Sequence, residues 1–361
     1  MTNPEAAAGY MARALQLAEQ GRHTTQPNPR VGCVIVRDGV IVGEGFHERA
    51  GEPHAEVHAL RMAGDKARGA DVFVTLEPCS HFGRTPPCAN GLIEAGVRKV
   101  WAAMQDPNPE VAGQGLARLR EAGIEVECGL MQVQAQALNR GFVMRMTRGR
   151  PFVTLKLAAS LDGRTAMANG ESQWITSEAA RADVHRLRAE AGAVLTSSAT
   201  VLADDPELTV RHVQTLRQPD RIVLDPRRRV GASAKIWNEG ARRILLTTQS
   251  QVAMPVGVEV AQLDCSGEYF SLSAAMTELG RLKINEVLVE CGPTLAGLLL
   301  QAEVIDELVL YLAPSLLGDA ARPLARLPNL EKLSERVQLQ WRDVRAVGPD
   351  LRLTAVPASK V

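Results

Sequence analysis

Two stretches of this 361-residue chain decide how it is read: Pro53-His54-Ala55-Glu56, and Glu77-Pro78-Cys79-Ser80-His81-Phe82-Gly83-Arg84-Thr85-Pro86-Pro87-Cys88. A neutral imidazole and two thiolates are the donors of a three-ligand zinc site whose fourth position stays open to water. His54, Cys79 and Cys88 are therefore the candidate metal ligands. Zinc lowers the pKa of a bound water to about 7, so a hydroxide-like nucleophile is available at neutral pH. Glu56 is not needed as a ligand and is the candidate proton shuttle. It lies about 200° around an ideal helix from His54. First-turn side chains surround a helix end, however, so both can reach one pocket.

His-x-Glu followed by Pro-Cys and a second cysteine is the pattern of zinc nucleobase deaminases. A purely structural zinc needs no free glutamate beside it, and unrelated core thiols would not bring a His-x-Glu along. His54-Ala55-Glu56-Val57-His58 is not the His-Glu-x-x-His order of a metalloprotease. His58 is a possible competing ligand, and His81 is a further candidate at the pocket. The common deaminase pair is Pro-Cys-x-x-Cys, whereas residues 80–87 separate the two cysteines here. The enlarged loop carries Arg84, a cation that would meet an anionic substrate. Cys33, Cys128, Cys265 and Cys291 sit in apolar, strand-like contexts and are expected in the core.

The flanking pattern supplies a fold for this site. Asn3-Pro4-Glu5 opens a helix that runs to Gly21. Val31–Val36 and Val40–Val42, joined by Arg37-Asp38-Gly39, read as a hairpin. Pro53 pre-sets a helix that stops at Gly64, residues 71–76 form a strand, and a helix from Pro87 or Cys88 ends at Gly96. A strand at 99–103, a helix at 115–122, a strand at 124–128 and a helix at 131–146 complete the half. Strands alternating with helices after a hairpin predict an α/β sandwich with a mixed sheet. His54 and Cys88 would both stand at helix N-termini, where the partial positive charge favours thiolate and metal.

Composition narrows the substrate. Lys plus Arg number 41 and so do Asp plus Glu, which leaves no net positive field for a nucleic-acid backbone. Four Trp, three Tyr and six Phe are few for a base-stacking surface. A deaminase acting on nucleic acid is thus the weaker alternative, beside a zinc-stabilised module without catalysis. The N-terminus has no basic segment followed by an apolar run, so no secretory signal is expected. No stretch approaches the ~18 apolar residues of a membrane span. A cytoplasmic location follows, in which six cysteines read as thiols or ligands.

Thr147-Arg148-Gly149-Arg150-Pro151 is a basic linker, and the boundary is expected there, with domains at 1–148 and 149–361. The second half restarts with a strand at 152–157 leading into Ser160-Leu161-Asp162-Gly163-Arg164. A helix at 177–191 has a Thr176 or Ser177 cap. Strands at 193–196, 221–225, 243–248 and 286–290 alternate with a helix at 271–281. Gly292-Pro293-Thr294 opens a helix directly after a strand, a generic phosphate seat, without the Gly-x-Gly-x-x-Gly fingerprint. Strands at 306–312, 336–346 and 350–356 end the chain. On composition and spacing this half is a nucleotide-binding α/β domain.

The sequence resembles the RibD family of bifunctional riboflavin-biosynthesis enzymes. The likeness rests on Pro27-Asn28-Pro29-Arg30-Val31-Gly32, on the two opening stretches, on Lys156–Gly163, Glu171–Thr176, Thr200–Pro206 and Glu290–Leu295. It implies a cytidine-deaminase-like α/β/α sandwich followed by a dihydrofolate-reductase-like α/β domain. It implies deamination of 2,5-diamino-6-ribosylamino-4(3H)-pyrimidinone 5′-phosphate, then NADPH-dependent reduction of the ribosyl group to ribityl. Residue by residue, His54, Cys79 and Cys88 carry zinc, Glu56 moves protons and Asn28 meets the pyrimidine. In the second half Ser172, Arg188, Arg211 and Glu290 fall at the substrate. Ala158, Trp174, Thr200, Asp204 and Gly292, Pro293, Thr294, Leu295, Ala296, Gly297 and Leu298 fall at NADPH. Lys156 and Asp204 are candidate contributors to the reduction. The expected partners are a small phosphorylated pyrimidine and further copies of the chain, a dimer being favoured, with no nucleic acid or membrane.

Overall fold

The computed structural model describes residues 4–80, 87–109, 111–250, 253–265, 269–328 and 330–360. The chain divides into two compact units, Met1–Gly149 and Arg150–Val361. Arg84 and His81, both weighed for the metal pocket, lie outside the described residues.

In the first unit the elements follow in the order α1 (Pro4–Glu19), β1 (Gly32–Arg37), β2 (Val40–Phe46), α2 (Ala55–Ala63), β3 (Asp71–Val74) and α3 (Cys88–Glu94). Then come β4 (Lys99–Ala102), α4 (Gln114–Glu121), β5 (Glu125–Cys128), α5 (Gln132–Leu138) and α6 (Arg140–Arg148). The sheet order is β2-β1-β3-β4-β5. β1 runs antiparallel to β2 and β3, while β3, β4 and β5 are parallel. Asp38 and Gly39 take φ of 51° and 79°, the left-handed pair that a two-residue hairpin turn demands. Cys33 and Ile35 face a core shared with α2, α3 and α4, and Val34 and Val36 face one shared with α1 and α5. A strand buried on both faces reads as an unbroken apolar run, as β1 does. The result is a mixed-sheet α/β/α sandwich.

The helix expected over 131–146 is two helices, α5 and α6, broken at Asn139 (φ −110°, ψ 24°). The cause is tertiary. The buried Asn139 amide accepts from the Arg30 backbone N–H at 2.8 Å and donates to the Arg30 carbonyl at 2.9 Å, as a neighbouring strand would. An Asn139→Ala variant removes both of these bonds, each worth about 0.5–1.5 kcal/mol. A thermal melt of the first unit is expected to show that loss.

The second unit runs β6 (Phe152–Ser160), β7 (Arg164–Ala166), α7 (Glu178–Glu190), β8 (Ala193–Ser197), α8 (Ser198–Asp204), β9 (Asp220–Leu224), β10 (Arg243–Thr247) and β11 (Val258–Gln262). It continues with α9 (Leu272–Arg281), β12 (Glu286–Glu290), α10 (Pro293–Gln301), β13 (Glu307–Ala313), β14 (Arg322–Pro323), β15 (Leu339–Val347) and β16 (Asp350–Pro357). The large sheet is ordered β11-β10-β9-β8-β12-β6-β13-β16-β15. It is parallel from β11 to β13, and β16 and β15 add an antiparallel edge. β7, α8, β11 and β14 were not anticipated. The first and last are very short, and β11 is a half-exposed edge strand with no strong apolar face.

One face of this sheet packs on α9 and α10 through Val153, Leu155, Leu195, Val289, Met276 and Leu299. α7 covers the other through Ala180, Val184, Ala158 and Tyr311. β12 lies between β8 and β6, so connections leave this point in both directions. Parallel α/β sheets bind ligands at the carboxyl ends of strands where the order reverses in this way.

Two cysteines depart from the expected core placement. Cys128 and Cys265 are exposed, because β5 and β11 are sheet-edge strands and these residues lie at or beyond their ends. Among the described residues no helix is long and apolar enough to cross a membrane.

Candidate active sites

In the first unit β2 sets the position of the metal pocket. A Cβ at Gly45 would come within 2.5 Å of the Ala55 carbonyl and 2.6 Å of the His58 Cβ, so only glycine lets α2 lie this close to the strand. His54 is the N-cap of α2 and Glu56 is in its first turn. Cys88 is the first residue of α3, as expected from the proline before it.

The three donor atoms of His54, Cys79 and Cys88 lie within 4.8 Å of one another. His54 Nδ1 is 3.3 Å from Cys88 Sγ and 3.6 Å from Cys79 Sγ. A tetrahedral zinc with ordinary Zn–S and Zn–N bonds has S···N edges of roughly 3.6 Å. The donor set and the spacing both fit that ion. Without a cation, the hydrogen bond from Cys88 and the neighbouring His54 pull the Cys79 thiol down to about 4. The same Cys79 contact, with burial, pushes the Cys88 thiol up. A dication held by these donors would displace the thiol protons and let both sulfurs ionise. The Cys88 backbone N–H also donates to Cys79 Sγ at 3.3 Å. His58 is not part of the cluster.

Glu56 is buried at 3 % exposure, and burial raises its carboxyl above the ordinary range against the pull of His54. A buried carboxyl beside the metal donors is equipped to hold and return a proton.

Residue-type reasoning missed His47. It is buried, and its ring meets that of His54 edge to face at 5.3 Å. Nδ1 lies 3.1 Å from the Pro53 carbonyl and Nε2 lies 3.2 Å from Asn28 Nδ2. The neutral tautomer with Nδ1–H satisfies both bonds, and burial lowers the His47 pKa accordingly. His47 thus ties Asn28 to the segment that presents His54. Its only sequence signal is a histidine at the end of a Gly-rich strand.

In the second unit a charge cluster forms between the middle of β6 and the carboxyl end of β12. Lys156 and Glu290 are register partners on those strands. Arg188, near the end of α7, grips Glu290 with two bonds, one of them 2.9 Å from Nη2 to Oε2. Its Nη1 donates to the Thr209 carbonyl at 3.0 Å. Lys156 Nζ stands 3.8 Å from Glu290 Oε2. Burial works to raise Glu290, but Arg188 and Lys156 overcome it and hold the carboxyl at about 2. Burial lowers Lys156, with Glu290 opposing and Arg188 reinforcing. One turn earlier on α7, buried His185 accepts the Arg211 backbone N–H on Nδ1 at 3.0 Å. Burial and the neighbouring cations depress His185 to about 4, so it stays a neutral acceptor. His185 too escaped the sequence reading.

The remaining candidates are spread over several elements of this unit. Ala158 lies two residues beyond Lys156 on the same strand, and Thr200 is in the first turn of α8, its N–H donating to the N-cap Ser197 Oγ at 3.3 Å. Gly292 caps α10, which opens directly after β12 as the sequence suggests. Gly292, Thr294 and Leu298 are exposed and Pro293 is half-buried, whereas Leu295, Ala296 and Gly297 point into the fold. Asp204 is exposed at the end of α8. Ser172 and exposed Trp174 lie between β7 and α7, and the Arg181 guanidinium stands 4.5 Å over the Trp174 ring. Among the described residues no hydrogen bond or ion pair joins Ser172, Trp174 or Asp204 to the Lys156–Arg188–Glu290 cluster.

These features define a class of protein before they define a family. Residues 4–104 match the family model described as the cytidine and deoxycytidylate deaminase zinc-binding region, and residues 151–353 match that of the RibD C-terminal domain. The protein is a zinc-type deaminase joined to a reductase. A relative from Escherichia coli K12, the riboflavin biosynthesis protein RibD, is 57 % identical over 97 % of this chain and 99 % of its own. The Haemophilus influenzae protein of the same name is 50 % identical over 96 % of each. A solved structure of Acinetobacter baumannii RibD superposes with a TM-score of 0.91 at 43 % identity, covering 98 % of this chain and 99 % of that one. The chain belongs to the RibD family, the bifunctional deaminase/reductases of riboflavin biosynthesis.

Proposed function

We propose that the first domain, residues 1–148, deaminates 2,5-diamino-6-ribosylamino-4(3H)-pyrimidinone 5′-phosphate, and that the second, 149–361, reduces the ribosyl group of 5-amino-6-(5-phosphoribosylamino)uracil to ribityl with NADPH. The observation that carries the first step is the His54–Cys79–Cys88 triangle with buried Glu56 at its side. His54, Cys79 and Cys88 would hold zinc, which when bound supplies an activated water at neutral pH. Glu56 would take one proton from the water as its oxygen attacks the amino-bearing carbon and deliver it to the adjacent ring nitrogen, then take the second proton from the new hydroxyl and hand it to the departing amine, leaving a carbonyl and ammonia. Asn28, held by His47, orients the pyrimidine edge.

For the second step, NADPH supplies the hydride to the sugar C1′ and the protein supplies orientation. Ala158, Thr200, Asp204, Trp174 and the start of α10 would meet the dinucleotide; α10 begins directly after β12, at a switch point of the kind where parallel sheets bind ligands, which supports this reading. Half-exposed Arg211 suits the substrate phosphate through its planar guanidinium, whereas Arg188 is already held by Glu290 and the Thr209 carbonyl. Glu290 keeps Arg188 and Lys156 oriented toward the sugar. Incubation with the diaminopyrimidinone phosphate and NADPH is expected to release ammonia and consume reduced cofactor in sequence. Ammonia release without any cofactor oxidation would overturn the second assignment.

The reading includes a cytoplasmic homodimer. β15 is the outermost strand and exposes Trp341 and Val344, which supports self-association. Sedimentation at micromolar concentration is expected to give twice the chain mass.

A further inference from the structure

Just before the first cysteine ligand stands a carboxylate with no role so far. Glu77 is buried at 4 % exposure and its two oxygens accept four backbone N–H groups. Oε2 takes those of Asp106 at 3.0 Å and Gly113 at 2.9 Å, and Oε1 takes those of Gly115 at 2.8 Å and Leu116 at 3.3 Å. Three of these belong to the N-cap and first turn of α4, where orphan N–H groups and the helix dipole favour an anion. Gly113-Gln114-Gly115 before a helix has the look of a phosphate cradle. Its anion is internal.

The same turn grips the residues that follow. A Cβ at Gly115 would come within 1.9 Å of the Pro78 carbonyl, so Gly115 is there to let that peptide lie flat on α4. Arg118, one turn on, donates to the Ser80 carbonyl at 3.1 Å. The segment on either side of Cys79 is therefore fastened to α4 at three points, while Cys88 and His54 are presented by helix starts of their own.

We propose that Glu77 is a positioning residue for the metal site. By drawing the N-terminus of α4 onto its carboxylate, it fixes where Cys79 stands relative to His54 and Cys88. The inference rests on the reading that these three residues hold zinc. Residues that orient metal ligands typically account for 10–100-fold in affinity. Gln at position 77 keeps the shape but turns an NH₂ toward two N–H donors, so half of the four bonds become repulsive.

The test is zinc affinity in the full chain, by competition with a chromogenic chelator, for wild type, Glu77→Gln, Glu77→Asp and Cys79→Ser. Glu77→Gln is expected to bind zinc roughly 10–100-fold more weakly, with reductase turnover unchanged. Glu77→Asp, which keeps the charge but shortens the reach, should fall between. The rise in melting temperature on adding zinc should shrink in the same order. A residue with only a structural role would lower the apo and zinc-loaded melts equally and leave that rise intact, which overturns the proposal. If Glu77→Gln does not fold, Glu77→Asp decides by the same two readouts. Should Cys79→Ser bind zinc like wild type, it is the zinc assignment that fails, and the Glu77 proposal with it.

Discussion

Glu56→Gln is expected to abolish ammonia release while zinc stays bound and the reductase step continues. The side chain is buried in the first turn of α2, two residues from His54, and contributes no atom to the three-donor cluster. Glutamine preserves its volume and removes its proton exchange. A positioned proton carrier is worth roughly 10²–10⁴ in rate, and one residue here serves two successive transfers, so the upper end is expected. Metal content, ammonia release and NADPH oxidation with the deaminated intermediate supplied should be measured separately. Retained deamination in the variant would sink the assignment of Glu56.

Glu290→Gln should be nearly as severe in the other unit. It leaves Arg188 and Lys156 facing each other across a position that is only 13 % exposed. Removing one partner from a buried ion pair costs about 3–5 kcal/mol, and two cations are stranded here. The second unit should melt earlier and lose reduction, with deamination unaffected. The pH dependence has a definite sign. Glu290 sits at about 2 in the folded chain, below its ordinary 4.5. Its contribution is therefore fully present above that ordinary value and is lost as pH falls through about 2. The stability gap between wild type and Glu290→Gln should be widest near neutrality and close between pH 4.5 and 2. A gap that is constant with pH would place the damage elsewhere than in this charge cluster.

Much of both units is legible in local pattern. The hairpin at Asp38-Gly39 is legible because a two-residue turn needs positive φ twice, and the helix starts at His54 and Cys88 because a proline precedes each. Elements at a sheet edge were harder. β11 carries no strong alternation, and the burial of Cys128 is decided by β5 having a neighbour on one side only, which the strand's own residues do not report. The break at Asn139 could not be read from helical periodicity, since it depends on Arg30, 109 positions away.

The sequence by itself determined the donor types of the zinc cluster, the free glutamate beside them, and the alternation of strands and helices that carries them. These are local: residue chemistry, a short spacing, a turn or a cap. Only the tertiary structure decided that His47 holds Asn28, that Glu77 gathers the start of α4, and that Arg188 and Glu290, 102 positions apart, close on Lys156. Each of those is a buried polar group whose partner is chosen by which strands and helices come to lie side by side. Burial makes the partner obligatory, because an unpaired polar group there costs more than the chain can easily lose, and no pattern in the local sequence says which group it will be.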